Sequence, residues 1–296
     1  MKTSLDPDDF RYNGKGSCKP ASIPTALKKH LYKDKAALEQ QLAVFREEID
    51  KLQQQMLAQD RYSLLLIFQA MDAAGKDGTI KHVMTGINPQ GVEVHYFKRP
   101  SEEELDHDYL WRSTKLLPPR GKIGIFNRSY YEEVLVCRVH PEIVTGVQRL
   151  PDEATADTEK LWPRRLKEMR NFETMLHANG TRVVKFFLHV SKDVQRKRLL
   201  ERIEKPEKNW KFNPADLKER ALWKEYMGAF GEAIEATATK DNPWYIVPAD
   251  DKADMRLIVS AAILSEMGRL KLKWPVLPPD QKAALAECRK SLLGEK

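Results

Sequence analysis

Apolar residues in the first part of the chain recur at the spacing of a helix. Between Lys33 and Gln59 they stand three or four positions apart, at Leu38, Leu42, Phe45, Ile49, Leu52 and Met56. Such positions share one face of a helix, which predicts a long amphipathic helix over residues 33–59. Residues 1–24 are rich in Pro, Gly, Lys and Asp without periodicity, so they are expected to form an extended arm.

Beyond residue 60, short apolar runs alternate with longer amphipathic stretches. The runs that predict strands are Ser63–Phe68, Val92–Phe97, Lys122–Phe126, Arg182–His189 and Trp244–Pro248. Helices are predicted near residues 78–86, 103–116, 130–137, 158–178, 191–204, 215–239 and 252–272. Five short strands separated by helices predict one doubly wound α/β domain with a parallel sheet covered on both faces.

Three segments follow from this pattern. Residues 1–60 hold the arm and the long helix, and residues 61–275 hold the α/β core. The Pro-rich stretch WPVLPPD at 274–280 leads into a C-terminal tail over residues 276–296. We find no internal repeat and no low-complexity segment.

Composition and charge indicate which partners, cysteine sites and compartment to expect. The net charge of +7 favours polyanionic partners such as nucleic acid, nucleotides or condensed phosphate, although a merely basic soluble enzyme would carry it too. The three cysteines lie far apart, so neither a disulfide framework nor a cysteine metal site is expected. No secretory signal is visible, and the longest apolar runs are about six residues, well short of the ~20 that span a bilayer. The expected compartment is the cytoplasm.

The stretch QAMDAAGKDGTIK, residues 69–81, resembles a phosphate-binding loop. It follows a predicted buried strand and leads into a predicted helix, which is the setting in which backbone amides and a helix N-terminus bind anions. Gly75 and Gly78 allow close approach of a phosphate, Lys76 brings a positive charge and Thr79 can offer a hydroxyl. The alternative is a plain turn with an accidental Gly-Lys pair.

Two carboxylates stand within this loop, where they would repel a phosphate. Asp77 occupies the position of the hydroxyl residue in the usual G-x-x-x-x-G-K-[ST] motif, and Asp72 lies just before the glycines. A divalent cation between carboxylate and phosphate removes the conflict, since Mg²⁺ prefers hard oxygen ligands. The competing interpretation is structural, with either carboxylate capping the following helix or pinning the loop, and it suits Asp77 better than Asp72.

The segment KIGIFNRSYYEEVLV, residues 122–136, is expected to place a strand beside the loop strand. A carboxylate usually follows this strand as the Walker B metal ligand, but here Asn127 stands there, followed by Arg128. Glu132 and Glu133 come one turn later. Arg128 can neutralise charge on a transferring phosphoryl group, or pair with one of these glutamates at the surface.

A third segment, residues 196–220, is strongly basic and interrupted by Pro206, Asn209 and Pro214. Kinases often close a basic lid of this kind over donor phosphates. A solvated helix–loop–helix is the alternative, but the preceding motifs favour the lid, which we place at about residues 203–220.

Taken together, these motifs resemble a family-2 polyphosphate kinase, in the branch that accepts nucleoside monophosphates and diphosphates. The resemblance spans roughly residues 30–275, in order, and includes the segment WYIVPA near residues 244–249. It implies a P-loop kinase fold like that of thymidylate kinase, a three-layer sandwich around a parallel five-stranded sheet, often assembled as dimers or tetramers.

The resemblance also implies roles for individual residues. Asp72, Lys76 and Arg128 would form the catalytic centre. The phosphate and nucleotide cradle would comprise Ala73, Ala74, Gly75, Asp77, Gly78 and Thr79, with Arg202, Lys205 and Lys208 from the lid. The metal, Mg²⁺ or Mn²⁺, would lie among Asp72, Asn127, Glu132 and Glu133. Many relatives that use diphosphates have an aspartate in place of Asn127, so the second metal ligand would be either Asn127 itself or one of the two glutamates.

The function that this implies is Mg²⁺-dependent, reversible transfer of the terminal phosphoryl group of inorganic polyphosphate to AMP or ADP. The partners would be polyphosphate, adenine nucleotides and further copies of the chain, with no membrane. An ATP-dependent small-molecule kinase of the same fold would share the loop and lid. A basic nucleic-acid-binding protein ranks last, since no recognition module is visible.

Overall fold

The computed structural model describes residues 5–295, which fold around one six-stranded sheet. The strands are β1 (Arg11–Tyr12), β2 (Ser63–Gln69), β3 (Val92–Tyr96), β4 (Ile123–Asn127), β5 (Thr181–His189) and β6 (Trp244–Pro248). Their order across the sheet is β1-β6-β5-β2-β4-β3, and all neighbours are parallel except β1, which runs antiparallel to β6.

The five predicted strands are confirmed within one residue at each end. The predicted strand count of five is wrong by one, because the arm before the long helix adds β1 to the edge of the sheet. A strand of two residues is too short to leave an alternating pattern, so nothing in the sequence distinguishes it from irregular chain. Residues 1–4 of the predicted arm lie outside the described residues.

Thirteen α-helices of four residues or more lie in the described part of the chain. They are α1 (Lys35–Gln59), α2 (Lys76–Met84), α3 (Glu102–Leu105), α4 (Trp111–Thr114), α5 (Val136–Val139), α6 (Glu142–Gly146), α7 (Asp152–Thr155), α8 (Thr158–Ala178), α9 (Lys192–Glu204), α10 (Ala215–Ala221), α11 (Trp223–Thr237), α12 (Lys252–Arg269) and α13 (Pro279–Gly294). Short 3₁₀ helices include Tyr130–Glu133 and Pro206–Lys211.

Three predicted helices are interrupted in the structure. The helix near 103–116 is split between α3 and α4, where the Asp108 side chain accepts a hydrogen bond from Leu110 N–H in a turn. The helix near 130–137 begins as a 3₁₀ turn, and the one near 215–239 breaks at Leu222. In the first two cases a polar side chain, of Asp108 or Ser129, accepts a hydrogen bond from the local backbone and competes with helix continuation, which apolar spacing alone does not register.

Helices cover both faces of the sheet, which completes a three-layer α/β/α sandwich. α1, α2 and α12 pack together on one face, while α8 and α11 pack on the other. Five of the six residues in the predicted stripe of α1 are buried, and Leu52 is half-buried. Asp34 caps this helix by accepting a hydrogen bond from Ala37 N–H at 2.9 Å, which fixes where the helix begins.

The C-terminal segment contains a helix that the sequence interpretation did not predict. α13 follows the Pro-rich stretch, and its described side chains are exposed. Among residues 5–295, none of the helices has both the length and the apolar character needed to cross a membrane.

Candidate active site

The candidate site lies where three parallel strands end at the same edge of the sheet. β2 and β4 pair so that Phe68 lies opposite Asn127, and β3 brings Tyr96 opposite Asn127 from the other side. Arg128 N–H donates to Phe68 O at 3.1 Å, which ties the segment after β4 to the loop after β2. Ligand sites of open α/β sheets form at this carboxyl edge.

The loop between β2 and α2 adopts backbone conformations that orient its amides. Ala73 and Gly75 have φ angles of +59° and +110°, and Gly75 is the N-cap residue of α2. Within residues 5–295, no acceptor binds the backbone N–H groups of Asp72, Ala73, Gly75, Lys76, Asp77 and Gly78. Unpaired amides at a helix N-terminus attract anions, so this loop has the chemistry of a phosphate cradle.

Lys76 projects into this loop from the first turn of α2. Its side chain is buried, and Nζ donates a hydrogen bond to Ala70 O at 2.9 Å. Burial, followed by the nearby Arg128 charge, lowers the pKa of Lys76 to about 8. The ammonium is therefore charged at neutral pH but poorly solvated, and an arriving anion would stabilise it.

Arg128 joins two carboxylates at the centre of the site. Its guanidinium lies 2.9 Å from Asp72 Oδ1 and 3.5 Å from Glu132 Oε2. Burial disfavours the charged guanidinium, but Glu132 and Asp72 outweigh burial and raise the pKa of Arg128. Burial raises the pKa of Glu132, and Arg128 opposes that shift. The three groups form one coupled charge cluster beside Lys76.

Asn127 and Asp77 form a second polar pair at this edge. Asn127 Nδ2 donates to Asp77 Oδ1 at 2.7 Å. Asp77 does not cap α2, since Gly75 occupies the N-cap position and no side chain caps the helix there. The predicted alternative that Asp77 caps the helix is therefore wrong, whereas the hydrogen bond from Asn127 agrees with the other structural alternative, in which Asp77 pins the loop.

The residues at this edge include oxygen donors of the kind that bind a divalent cation. Asn127 Oδ1 is buried and has no hydrogen-bond partner among residues 5–295, and this is the kind of orphaned oxygen that a cation satisfies. Asp72, Asp77 and Glu132 each raise the pKa of Lys76, but their carboxylate oxygens do not all lie within 4.8 Å of one another. Carboxylate and amide oxygens are the ligands that Mg²⁺ prefers.

Glu133, predicted as a metal ligand, is not brought to this cluster. Its carboxylate lies 3.2 Å from buried Arg165 and also accepts a hydrogen bond from Gln148. Glu132 and Glu133 are adjacent in the same 3₁₀ turn, so their side chains diverge, and only Glu132 lines the site with Asp72.

Thr79 also departs from its predicted role. Its hydroxyl is fully buried and donates to Gly75 O at 3.0 Å, one turn back along α2. Such back-bonding is common for threonine within helices. The hydroxyl is thus engaged within the protein rather than presented to a phosphate.

A broad cavity of about 920 Å³ opens over the loop and is bounded by the segment predicted as a lid. Its basic residues outnumber its acidic ones by eight to four. The basic residues are Lys76, Lys98, Arg128, Arg198, Arg202, Lys208, Lys211 and Lys252. Predicted Arg202 and Lys208 therefore line the cavity, whereas Lys205 lies outside it, half-exposed and 3.9 Å from Glu201.

Sequence reasoning missed several of these cations. Lys98 follows β3, and Lys252 lies in the first turn of α12, which follows β6. Because the carboxyl ends of parallel strands meet at one edge, the position of each lysine after a predicted strand was an available signal. Arg198 was visible only as one member of a basic run.

A narrower cavity of about 250 Å³ shares Asp72 and Arg128 with the broad one. It is acidic and partly aromatic, with Glu219, Tyr226 and Phe230 among its lining residues. Two cavities of opposite charge thus meet at the Asp72–Arg128 pair, with residues 73–78 of the phosphate-binding loop on the basic side.

Comparison with known proteins identifies the relatives of this chain. The family model described as polyphosphate kinase 2 matches residues 32–274. An ADP-polyphosphate phosphotransferase of Rhodopseudomonas palustris is 53% identical over 88% of this chain and 90% of its own length. An AMP/ADP-polyphosphate phosphotransferase of Meiothermus ruber is 43% identical over 81% of this chain and 84% of its own.

Solved structures agree with this relationship. The crystal structure of polyphosphate kinase 2 from Arthrobacter aurescens superposes with a TM-score of 0.84 at 36% identity, covering 97% of this chain and 99% of that one. The sequence, the sheet order and the loop at its carboxyl edge all lead to the same assignment. This chain belongs to the polyphosphate kinase 2 family.

Proposed function

We propose that this protein transfers the terminal phosphoryl group of inorganic polyphosphate to AMP or ADP. The observation that carries the proposal is the set of unpaired loop amides beneath a broad, open, basic cavity. An open basic groove suits a long polyanion that must slide through rather than be enclosed. The relatives named above act on ADP, or on AMP and ADP, with polyphosphate, which supports the same substrates here.

The two cavities suggest where each substrate binds. Polyphosphate would occupy the basic cavity, with its end phosphate against the loop amides and Lys76. The nucleotide would enter the narrower cavity, where Tyr226 and Phe230 offer aromatic surface and Glu219 offers a hydrogen-bond acceptor. The transferred group would then lie beside Arg128, at the boundary of the two cavities.

The chain's own residues would act by positioning and by charge stabilisation. Loop amides and Lys76 would hold the donor phosphate, and Arg128 would offset negative charge on the transferring group. Asp72 fixes the Arg128 guanidinium by their 2.9 Å ion pair. A Mg²⁺ ion that takes one or two of its ligands from among Asp72, Asp77, Asn127 and Glu132 would, when bound, neutralise phosphate charge.

The test uses purified protein with long-chain polyphosphate and Mg²⁺, without ATP, and with either AMP or ADP as acceptor. Chromatography of the nucleotides should show ATP from ADP, or ADP from AMP. Absence of product with both acceptors would refute the proposal. An ATP-dependent kinase would instead ignore polyphosphate and consume ATP with a co-substrate.

The pH dependence of the reaction should follow the ionisation of Lys76. The protonated ammonium attracts phosphate, so kcat/KM for polyphosphate should be constant below about pH 8 and fall as the pH rises further. A rate profile from roughly pH 7 to 9.5 measures this, and the decline should approach about tenfold per pH unit. A flat profile through pH 9.5 would contradict the role of Lys76.

Substitution of Asn127 by Asp should make stability depend on Mg²⁺. The new carboxylate would face Asp77 where an amide now donates at 2.7 Å, and the resulting repulsion should cost roughly 1 kcal/mol or more. Thermal unfolding with chelator should therefore show a lower unfolding temperature than wild type, and Mg²⁺ should restore it. An equal effect of Mg²⁺ on both proteins would show that this pair does not face the cation.

A further inference from the structure

Every carbonyl group of the phosphate loop is held by a donor. Ala70 O accepts from Lys76 Nζ, and Met71 O accepts from Ala74 N–H. Gly75 O accepts from the amide and hydroxyl of Thr79. The three carbonyl groups between them, those of residues 72–74, are held by side chains from another helix. Since a peptide's N–H and C=O point in opposite directions, holding the carbonyl groups fixes where the amides point.

Two residues of α9 supply those donors. Gln195 is buried, and its Nε2 donates to Asp72 O at 3.0 Å. Arg198 NH1 donates to Ala73 O at 3.3 Å and to Ala74 O at 2.7 Å. The other terminal nitrogen of Arg198 donates to Ala249 O and Asp250 O, at 2.8 and 3.0 Å, in the loop after β6. One guanidinium thus joins four carbonyl groups on two loops.

The contact from Arg198 supports an unfavourable backbone conformation in this loop. Ala73 adopts a left-handed backbone conformation, with φ of +59°, that a residue with a side chain rarely adopts without support. Its carbonyl group is one of those that Arg198 binds.

We propose that Gln195 and Arg198 are positioning residues that shape the phosphate loop for polyphosphate. This rests on the proposed function. They hold the loop carbonyl groups away from the cavity, so that the amides face the donor phosphate and Asp72 keeps its place beside Arg128. Their effect depends on geometry, because a single positive charge without the planar guanidinium cannot bind four carbonyl groups.

The same residues connect the loop to the lid. Arg220 of α10 donates to Gln195 Oε1 at 2.9 Å and to Lys192 O at 2.6 Å. The side-chain oxygen of Gln195 therefore accepts a hydrogen bond from the lid, while its side-chain nitrogen donates one to the carbonyl group of Asp72. A displacement of α10 would be transmitted to the backbone of Asp72 through this one amide.

The substitution Arg198→Lys separates geometry from charge. Two measurements are made: steady-state kinetics with polyphosphate, and calorimetric binding of inorganic triphosphate without nucleotide. We expect kcat/KM for polyphosphate and triphosphate affinity each to fall at least about tenfold, while KM for the nucleotide changes less than about twofold. Arg196→Lys, on the exposed side of the same helix, should match wild type in both measurements.

Two results would overturn the proposal, and a third would overturn the proposed function instead. If Arg198→Lys keeps its triphosphate affinity and its unfolding temperature, a positive charge alone is sufficient at this position. If it keeps its affinity but unfolds at a lower temperature, the arginine only stabilises the fold. If the lysine variant does not fold, Gln195→Met should lower kcat at least about fivefold, and unchanged kcat would contradict the role of Gln195. Wild-type protein that binds triphosphate but transfers no phosphoryl group would refute the proposed function and leave the loop measurement valid.

Discussion

Replacing Lys76 by Met should lower the turnover of polyphosphate with nucleotide at least about 100-fold. Lys76 brings a full positive charge to the unpaired loop amides, and its Nζ also holds Ala70 O. Methionine retains most of the buried volume and removes only the charge and the hydrogen bond. The loss should appear in both kcat and kcat/KM, since charge on the transferring phosphoryl group grows toward the transition state.

The folded state of this variant should survive the substitution. The pKa of Lys76 is lowered to about 8 from 10.5, so the charged lysine opposes folding at neutral pH, and its removal offsets the lost hydrogen bond. Lys81→Met, on the exposed side of α2, is the matched control and should retain wild-type turnover. Turnover of folded Lys76→Met within about tenfold of wild type would contradict the assigned role.

Replacing Asp72 by Asn should lower turnover by a similar factor, at least about 100-fold. Asparagine has nearly the same shape but no charge, so it weakens the 2.9 Å ion pair with Arg128 and removes a candidate metal ligand. Arg128 should then turn toward Glu132, its other carboxylate partner at 3.5 Å. The expected signature is a lower kcat together with a higher Mg²⁺ concentration for half-maximal rate.

Measurement of rate against Mg²⁺ concentration, in wild type and variant, checks both parts of this prediction. Asp280→Asn in exposed α13 is the control for loss of one carboxylate and should leave the titration unchanged. A folded Asp72→Asn protein with wild-type rate and wild-type Mg²⁺ dependence would show that Asp72 neither binds the metal nor takes part in catalysis.

The sequence predicted the framework of the fold because that framework depends on regular periodicity. The stripe of α1 and the five parallel strands are patterns of apolar residues. The stripe and four of the strands are buried, whereas β3, at the edge of the sheet, is half-exposed. β1 escaped prediction because a pair of residues at a sheet edge has no period. The break between α3 and α4 was missed because it depends on a side chain bonding its own backbone.

The site was predictable as far as it is made of contiguous motifs. Asp72, Lys76 and Arg128 are brought together as expected, since β2 and β4 are neighbours. The divergence of Glu132 and Glu133 depends on one 3₁₀ turn, and no residue pattern specifies which of two adjacent glutamates faces inward. The contacts of Gln195 and Arg198 with the loop join residues more than 120 positions apart, and only the packing of α9 reveals them.

The central claim, that the terminal phosphoryl group of polyphosphate passes to the nucleotide, is tested most directly by ³¹P NMR. Protein, ADP, Mg²⁺ and long-chain polyphosphate are combined without ATP, and all phosphorus signals are followed together. Each transfer from a chain end leaves a new end, so ATP should accumulate while internal phosphate declines equally and the number of chain ends stays constant. A rise in chain ends or in free phosphate without ATP, from folded wild-type protein, would contradict the account.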